Sequence, residues 1–376
     1  MKIENIRNEL QTHVKPNLTI IQKEGLYPKE SLIAMGKYGL YESFLQQGEK
    51  GLLQSILGIA EVSRVCMNTG FCVWCQNVLA WYLFQTSNTT LKQNLFMEVS
   101  KGQILGGTGL SNPMKSYSKL ENVLLKATQT QGGFIINGTL PWVSNIEFNH
   151  IFGAVCKIDS KEYNLACIIR IYEHNSSIKL KDNISFIALE GSATKSVILH
   201  NYFVPESDIL GLPAEDFLLR IATGFLLLQI GMGLGCLDLS LDLIKKSNRK
   251  KSTINAYLPI SQGYIQEQRD NLLNTLEKLT NEFVLGDKEY LKAVLELRLK
   301  AGLLTLESSQ SAMLHAGSSG YLANSIEYKL LLESYFVALV SPSVKHLNKE
   351  LHDIAQNSGT AKHWMRVVEK FYALNN

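Results

Sequence analysis

The hydrophobic period of this chain switches twice, and that alternation limits its fold more than any other feature. Up to about Lys101, apolar residues recur three and four apart, as at Leu52, Ile56, Ile59 and Val62, which is the period of a helix face. From about Gly106 to Leu212 the period falls to two. Val123, Leu125 and Ala127 alternate with Leu124, Lys126 and Thr128, and a Gly132-Gly133 turn follows. Short β-branched or aromatic runs come next at 150–158, 165–171 and 196–203, separated by polar and glycine punctuation. No helical stretch separates these runs, so a repeating βαβ unit is excluded and an antiparallel β-domain is expected. The helical period returns at Ala214. Ile265, Leu272, Leu276, Leu279 and Phe283 form one stripe, Val294, Leu297 and Leu304 another, and 345–372 a last segment broken near Asn357-Ser358-Gly359. The expected architecture is mainly α with a central antiparallel β-domain.

With 376 residues the chain is long enough to bury a large core in two or three domains or layers. Its 37 basic and 34 acidic residues nearly cancel, to a net charge of +3. That balance excludes a nucleic-acid-coating surface and a disordered chain. Only 19% of residues are charged, against a usual level of about 25%, which implies surface covered by partners. Six cysteines are too sparse for a disulfide framework at this length. The opening MKIENIRNELQTHV reads as an amphipathic helix and lacks the apolar run of about 7–15 residues of a secretory signal. The stretch from Ile221 to Cys236, flanked by Arg220 and Asp238, falls short of the roughly 18–20 residues of a membrane span. It reads as a buried core helix, and a cytoplasmic location is the default expectation.

Several motifs have a structural reading stronger than the chemical one. Cys72-Val73-Trp74-Cys75 has redox or zinc spacing, but no second pair follows and no βαβ context surrounds it. Gly231-Met232-Gly233-Leu234-Gly235 lacks both the spacing and the preceding strand of a dinucleotide loop, and suits close helix packing instead. The basic run Lys245 to Lys251 reads as a solvated loop after a helix, and in its sharper reading as a phosphate dock. The eight histidines show no metal spacing, and no GxSxG elbow supports a hydrolase.

The central region carries the most specific pattern. Gly109-Leu110-Ser111-Asn112-Pro113 is followed by Phe134-Ile135-Ile136-Asn137-Gly138, then Trp142-Val143-Ser144-Asn145, then Val204-Pro205-Glu206-Ser207-Asp208-Ile209-Leu210-Gly211. In order and spacing these resemble the "A-L-T-E-P" turn, the "G-x-x-L-N-G-x-K-x-W-I-T-N" hairpin and the "V-P-x-x-x-x-L-G" exit of the acyl-CoA dehydrogenase family. The resemblance covers nearly the whole chain. It implies a helical N-terminal domain (1–105), a β-barrel middle domain (106–212) and a C-terminal four-helix bundle (213–376). It also implies bound FAD. Trp142 would lie against the flavin ring, where a flat apolar cofactor buries area on an indole. Ser144, in place of the family's threonine, would hold the ring atom that accepts hydride. Leu110 and Ser111 would wrap the pyrimidine side. Arg249 corresponds to the arginine that reaches the neighbouring subunit's FAD phosphates, Gln262 to a downstream glutamine, and Gly317 to the "G-G-x-G-Y" loop. A homodimer or homotetramer is implied.

The resemblance breaks at the proton acceptor. Dehydrogenation of an acyl thioester needs a carboxylate to remove the proton while hydride leaves. The usual "Y-E-G-T" glutamate aligns with Val340 in Leu339-Val340-Ser341-Pro342, and the alternative "L-E-R" glutamate with Leu219 in Leu218-Leu219-Arg220. Glu333 reaches the first position only after a one-turn shift. The expected activity is therefore a flavin-dependent oxidation of an acyl thioester or related small molecule, passing electrons to a flavin-linked acceptor, with its base unaccounted for. Two alternatives stand beside it. One is a monooxygenase of the same fold using reduced flavin (FAD or FMN) and O₂; its "L-H-D-P" histidine is also missing, though His346 and His352 lie downstream. The other is a non-catalytic subunit.

Overall fold

The structure, a computed structural model, describes residues 1–182, 185–285 and 287–375. Its first part is helical: α1 (Ile3–Glu9), α2 (Leu18–Lys23), α3 (Lys29–Lys37), α4 (Ser43–Gln47), α5 (Leu52–Val65), α6 (Met67–Gln85) and α7 (Thr89–Ser100). α6 is apolar on every face and lies at the centre of the molecule, with all its residues buried except Phe84. Its N-terminus is capped by the Cys66 sulfur, which accepts from the Thr69 amide, and α7 is capped by Asn88 in the same way. Gly70 permits the tight turn back from α5, since a Cβ there would fall 2.0 Å from Ser63 Oγ.

The middle part holds β1 (Gly106–Thr108), the short α8 (Ser111–Tyr117), β2 (Lys126–Thr130), β3 (Gly133–Val143), β4 (Ile151–Ile158), β5 (Asn164–Arg170), β6 (Ile178–Lys181), β7 (Lys195–Pro205) and β8 (Ile209–Gly211). They form one eight-stranded sheet ordered β6-β7-β3-β2-β4-β5-β8, with β1 beside β4. The expectation of a purely antiparallel domain is corrected at two places: β1 and β2 both pair parallel to β4. The sheet closes over its own core, which includes Ile136, Phe152 and Cys167. The β3–β7 ladder slips register near its end. Leu140 faces Val197 and Val143 faces Lys195, so β3 carries one residue too many between them. Such a bulge bends the strand and re-aims a side chain, and here it lies at Pro141-Trp142.

The last part comprises α9 (Ala214–Asn255), α10 (Gln262–Asn281), α11 (Lys288–Ala316), α12 (Ile326–Leu339), α13 (Val344–Ala355) and α14 (Thr360–Asn375). The 42-residue α9 is the spine of the molecule and packs on α5, α6 and α11. Gly231 and Gly235 lie against α5, where a Cβ would sit 2.6 Å from the Ile56 carbonyl or 2.5 Å from Ser63 Cβ. The glycine run therefore serves helix packing. Two sequence expectations are corrected on this helix. The basic run 245–251 is helical rather than a loop. The apolar segment is also long enough for a membrane by length and composition, and it is burial inside the protein, 83% of its apolar window, that identifies it as a core helix.

Candidate functional site

A cavity of about 290 Å³ opens where α6, α9 and the α12–α13 connection meet the β-domain. Its helical wall is aromatic, with Phe71 and Trp74 from the buried helix α6, Phe225 from α9 and Phe336 from α12. Phe71 and Trp74 stack with ring centres 5.7 Å apart, Phe336 meets Phe71 edge-on at 4.5 Å, and Phe225 meets Trp74 edge-on at 5.3 Å. On the opposite wall the bulge in β3 presents Trp142, which stays 55% exposed and meets Phe186 edge-on with ring centres 6.4 Å apart. The Lys115 ammonium lies 5.9 Å from the centre of the Trp142 ring.

The polar groups are neutral hydroxyls in chains. Ser192 donates to Thr194, and Thr194 donates to Ser144 Oγ at 2.7 Å. Since Ser144 accepts there, its own proton is free to point into the cavity. Ser111 Oγ lies 2.9 Å from Ser341 Oγ and joins the α8 turn to the α12–α13 connection. That connection is held from below: Gln229 donates to the Ser341 carbonyl at 2.8 Å, Arg298 Nε donates to Gln229 Oε1 at 2.8 Å, and Arg298 Nη2 donates to the Val337 carbonyl at 2.7 Å. Arg298 is fully buried with no carboxylate beside it, and burial lowers its guanidinium to about 10.

Of the residues singled out from sequence, Ser111, Trp142, Ser144 and Val340 converge on this cavity. Leu110 is buried behind it and donates its amide to Thr108 Oγ1. Leu219 does not reach it and lines a second cavity; the α9 residue facing this one is Phe225. Glu333 is also elsewhere, buried between Gln22 and Lys329, and burial raises its carboxyl. His346 lies on the second cavity. Arg249, Gln262 and Gly317 gather at the far end of the bundle, where Asn248 donates to Gln262 and Lys251 donates to the Ala316 carbonyl. From Phe225 to Arg249 the helix rises about 36 Å.

Phe71, Trp74, Phe225 and Phe336 were not singled out, since in an apolar helix nothing local separates a cavity wall from core; the aromatic density of 71–84 was the available signal. Cys72 and Cys75 are buried thiols pushed well up by desolvation, with no reactive environment. Among the described residues no three His, Cys, Asp or Glu side chains converge as a metal site. The described lining of the aromatic cavity contains no carboxylate, histidine, lysine or arginine.

No protein-family model matches the chain. Among curated proteins, the probable acyl-CoA dehydrogenase YngJ of Bacillus subtilis is 22% identical over 270 residues, covering 68% of this chain and 71% of the relative. The mitochondrial isovaleryl-CoA dehydrogenase of Arabidopsis thaliana is 23% identical over 215 residues, covering 55% and 52%. For this second relative the chain spans only about half its length. Among solved structures, butyryl-CoA dehydrogenase of Megasphaera elsdenii superposes with a TM-score of 0.81 at 14% identity, over 93% of this chain and 96% of that one. A glutaryl-CoA dehydrogenase from Mycobacterium smegmatis in complex with FADH₂ gives 0.74 at 15% identity, over 95% and 94%. KijD3 in complex with FMN and a dTDP-sugar gives 0.75 at 12%, over 94% and 92%. At these identities the structural likeness establishes the fold.

Proposed function

We propose that this chain, which has the acyl-CoA dehydrogenase fold, is a flavin-dependent oxidoreductase. The observation that carries the reading is the meeting of Trp142, Ser144 and Ser111 on one side of a cavity whose other side is apolar and aromatic. The residues fit a flavin ring: an indole open to stacking, hydroxyls at the edge, and dry walls. When bound, the flavin would supply the two-electron acceptor that the side chains themselves lack. Trp142 would orient the ring by stacking. Ser144, with its oxygen turned toward Thr194, would donate its proton to the ring edge. Phe71, Trp74, Phe225 and Phe336 would exclude water and hold an apolar substrate against the ring. FAD is the cofactor this reading prefers, the site is completed in a homodimer or homotetramer, and the protein works in the cytoplasm.

The substrate of the first reading is an acyl thioester or a related small molecule. In this reading the proton acceptor is unaccounted for: of the two base positions the resemblance implies, Val340 lines the cavity and Leu219 does not, and neither can take a proton. That same lining favours a second reading, in which reduced flavin, FAD or FMN, and O₂ oxygenate an apolar substrate and no carboxylate base is required.

The absorbance of the purified protein in the near-ultraviolet and blue tests both. A flavin spectrum, carried from purification or regained on adding FAD or FMN, is expected. Failure to take up either would sink both readings and leave a non-catalytic subunit. Anaerobic bleaching by an acyl thioester then selects the dehydrogenase; oxygen uptake with reduced flavin and no response to thioesters selects the monooxygenase.

A further inference from the structure

A second cavity, of about 510 Å³, lies between α8, the first turns of α9 and α11, α13 and α14. Neighbouring positions face the two spaces: Ser341 and Phe225 the first, Pro342 and Leu226 the second. The second cavity has an apolar body walled by Leu219, Leu226, Leu291, Leu295 and Ile354. One end is polar. Ser118 donates to Glu350 Oε1, and Thr360 donates to the same oxygen at 3.0 Å. With the Ser118 proton committed, His346 presents Nε2–H to Ser118 Oγ at 2.5 Å. The other oxygen, Glu350 Oε2, accepts from no protein donor among the described residues. Burial alone would raise this carboxyl, but the nearby His346 imidazole and the hydrogen bonds from Ser118 and Thr360 outweigh it and hold the group below its ordinary value.

Two further side chains in this lining are more than nine-tenths buried and have no partner: Thr223 Oγ1 and Trp364 Nε1. Native proteins rarely leave such groups unpaired. The other charged side chains of the lining, Asp287, Lys288 and Lys362, are exposed at its rim. Lys288 and Lys362 both turn to Asn357, and Asp287 caps the Tyr290 amide. Inside that rim, the carboxylate with an oxygen free of protein donors among the described residues is Glu350, whereas Thr223 Oγ1 and Trp364 Nε1 have almost no exposed surface.

We propose that this cavity binds a compact apolar amine, its ammonium on Glu350 Oε2 and its body among the leucines. This site is independent of the flavin reading. The ligand can be a substrate, an effector or a product of amine metabolism, and all share this recognition chemistry.

Calorimetric titration of the full chain with tyramine tests the assignment, using 4-ethylphenol and 3-(4-hydroxyphenyl)propionate as matched neutral and anionic probes. One saturable tyramine site per chain is expected, with both controls at least about tenfold weaker. Glu350→Gln should lower tyramine affinity at least about tenfold and erase its advantage over 4-ethylphenol. Ala222→Phe fills the cavity from α9, away from the polar cluster, and should abolish binding while leaving the circular dichroism unchanged. Absence of saturable tyramine binding, equal binding of the propionate, or binding that survives Ala222→Phe would each overturn the assignment. If Glu350→Gln fails to fold, the probe series and Ala222→Phe still decide.

Discussion

At the scale of single residues, the Trp142-Val143-Ser144-Asn145 segment separates cavity-facing side chains from one that fixes the backbone. Trp142 and Ser144 face the cavity, whereas Asn145 pins the hairpin. Asn145 adopts a left-handed φ of 62°, accepts from the Tyr27 hydroxyl at 2.7 Å and donates to the Gly106 carbonyl at 2.6 Å. Its own carbonyl meets His150 Nδ1 at 3.2 Å. Burial, opposed only in part by that bond, lowers the His150 imidazole to about 4. A pKa depressed on folding gives stability that is complete above the unfolded value of about 6.5 and disappears as pH falls toward 4. The protein should therefore lose about 2 kcal/mol between pH 8 and pH 5 from this residue alone. Urea midpoints for wild type and His150→Leu check it: the variant's slope over that interval should be shallower, and equal slopes would refute the assignment. Val340 makes the second prediction at this scale. Val340→Glu places a carboxylate in an otherwise baseless cavity, and a positioned base contributes about 10²–10⁴-fold. Anaerobic bleaching by an acyl thioester should rise within that range; an unchanged rate would show that Val340 does not face the reacting carbon. Ser111, Trp142, Ser144 and Val340 were legible because they belong to short local motifs. Phe225 was not, because its role depends on which face of a long apolar helix meets the cavity.

At the scale of elements, the α12–α13 connection is the most exacting construction, since a buried arginine without an anion supports it. The two sides of the Arg298–Gln229 contact are both buried; Gln229 bonds backbone of that connection and Arg298 bonds backbone of the last turn of α12. Removing one partner strands the other, at a cost of about 3 kcal/mol, whereas removing both leaves an apolar replacement of similar volume. Gln229→Leu and Arg298→Met should each destabilise the protein, and the double variant should be at least about 1 kcal/mol more stable than the sum of the two losses requires. Additive losses in denaturant titration would mean that the contact carries no coupling. The period of the hydrophobic residues was enough to distinguish helical from extended segments, because burial on one face imposes that period. It could not show β2 lying parallel to β4, or α14 returning to set Trp364 against Tyr117 at 4.7 Å. Both depend on partners far along the chain. The basic run at 245–251 was misread for a related reason: its charges looked like a loop, but the packed length of α9 carries the helix through them.

At the scale of the whole molecule, one chain exposes somewhat more surface than its mass predicts. Its accessible area of 16627 Å² exceeds the roughly 15,000 Å² usual for a monomer of this mass. The excess is apolar in places: Ile254, Tyr257, Tyr321 and Leu322 are 66%, 85%, 88% and 64% exposed at the corner that also holds Arg249, Gln262 and Gly317. Along α9 that corner lies about 36 Å from Phe225, which lines the same cavity as Trp142. If Arg249 contributes to a flavin site at all, it does so across a subunit boundary, and this geometry makes a prediction that a purely structural role does not. Trp142→Ala and Arg249→Glu chains, each expected to bind flavin at least tenfold more weakly when pure, should recover tight binding when unfolded and refolded together. Each mixed pair then contains one site built from an intact Trp142 on one chain and an intact Arg249 on the other. A flavin fluorescence titration should show a tight fraction in the mixture that neither parent has. Recovery without mixing, or a mixture that titrates as the average of its parents, would confine the site to a single chain. Size-exclusion chromatography of the wild type sets the condition for the test: a species of at least twice 42.1 kDa must elute.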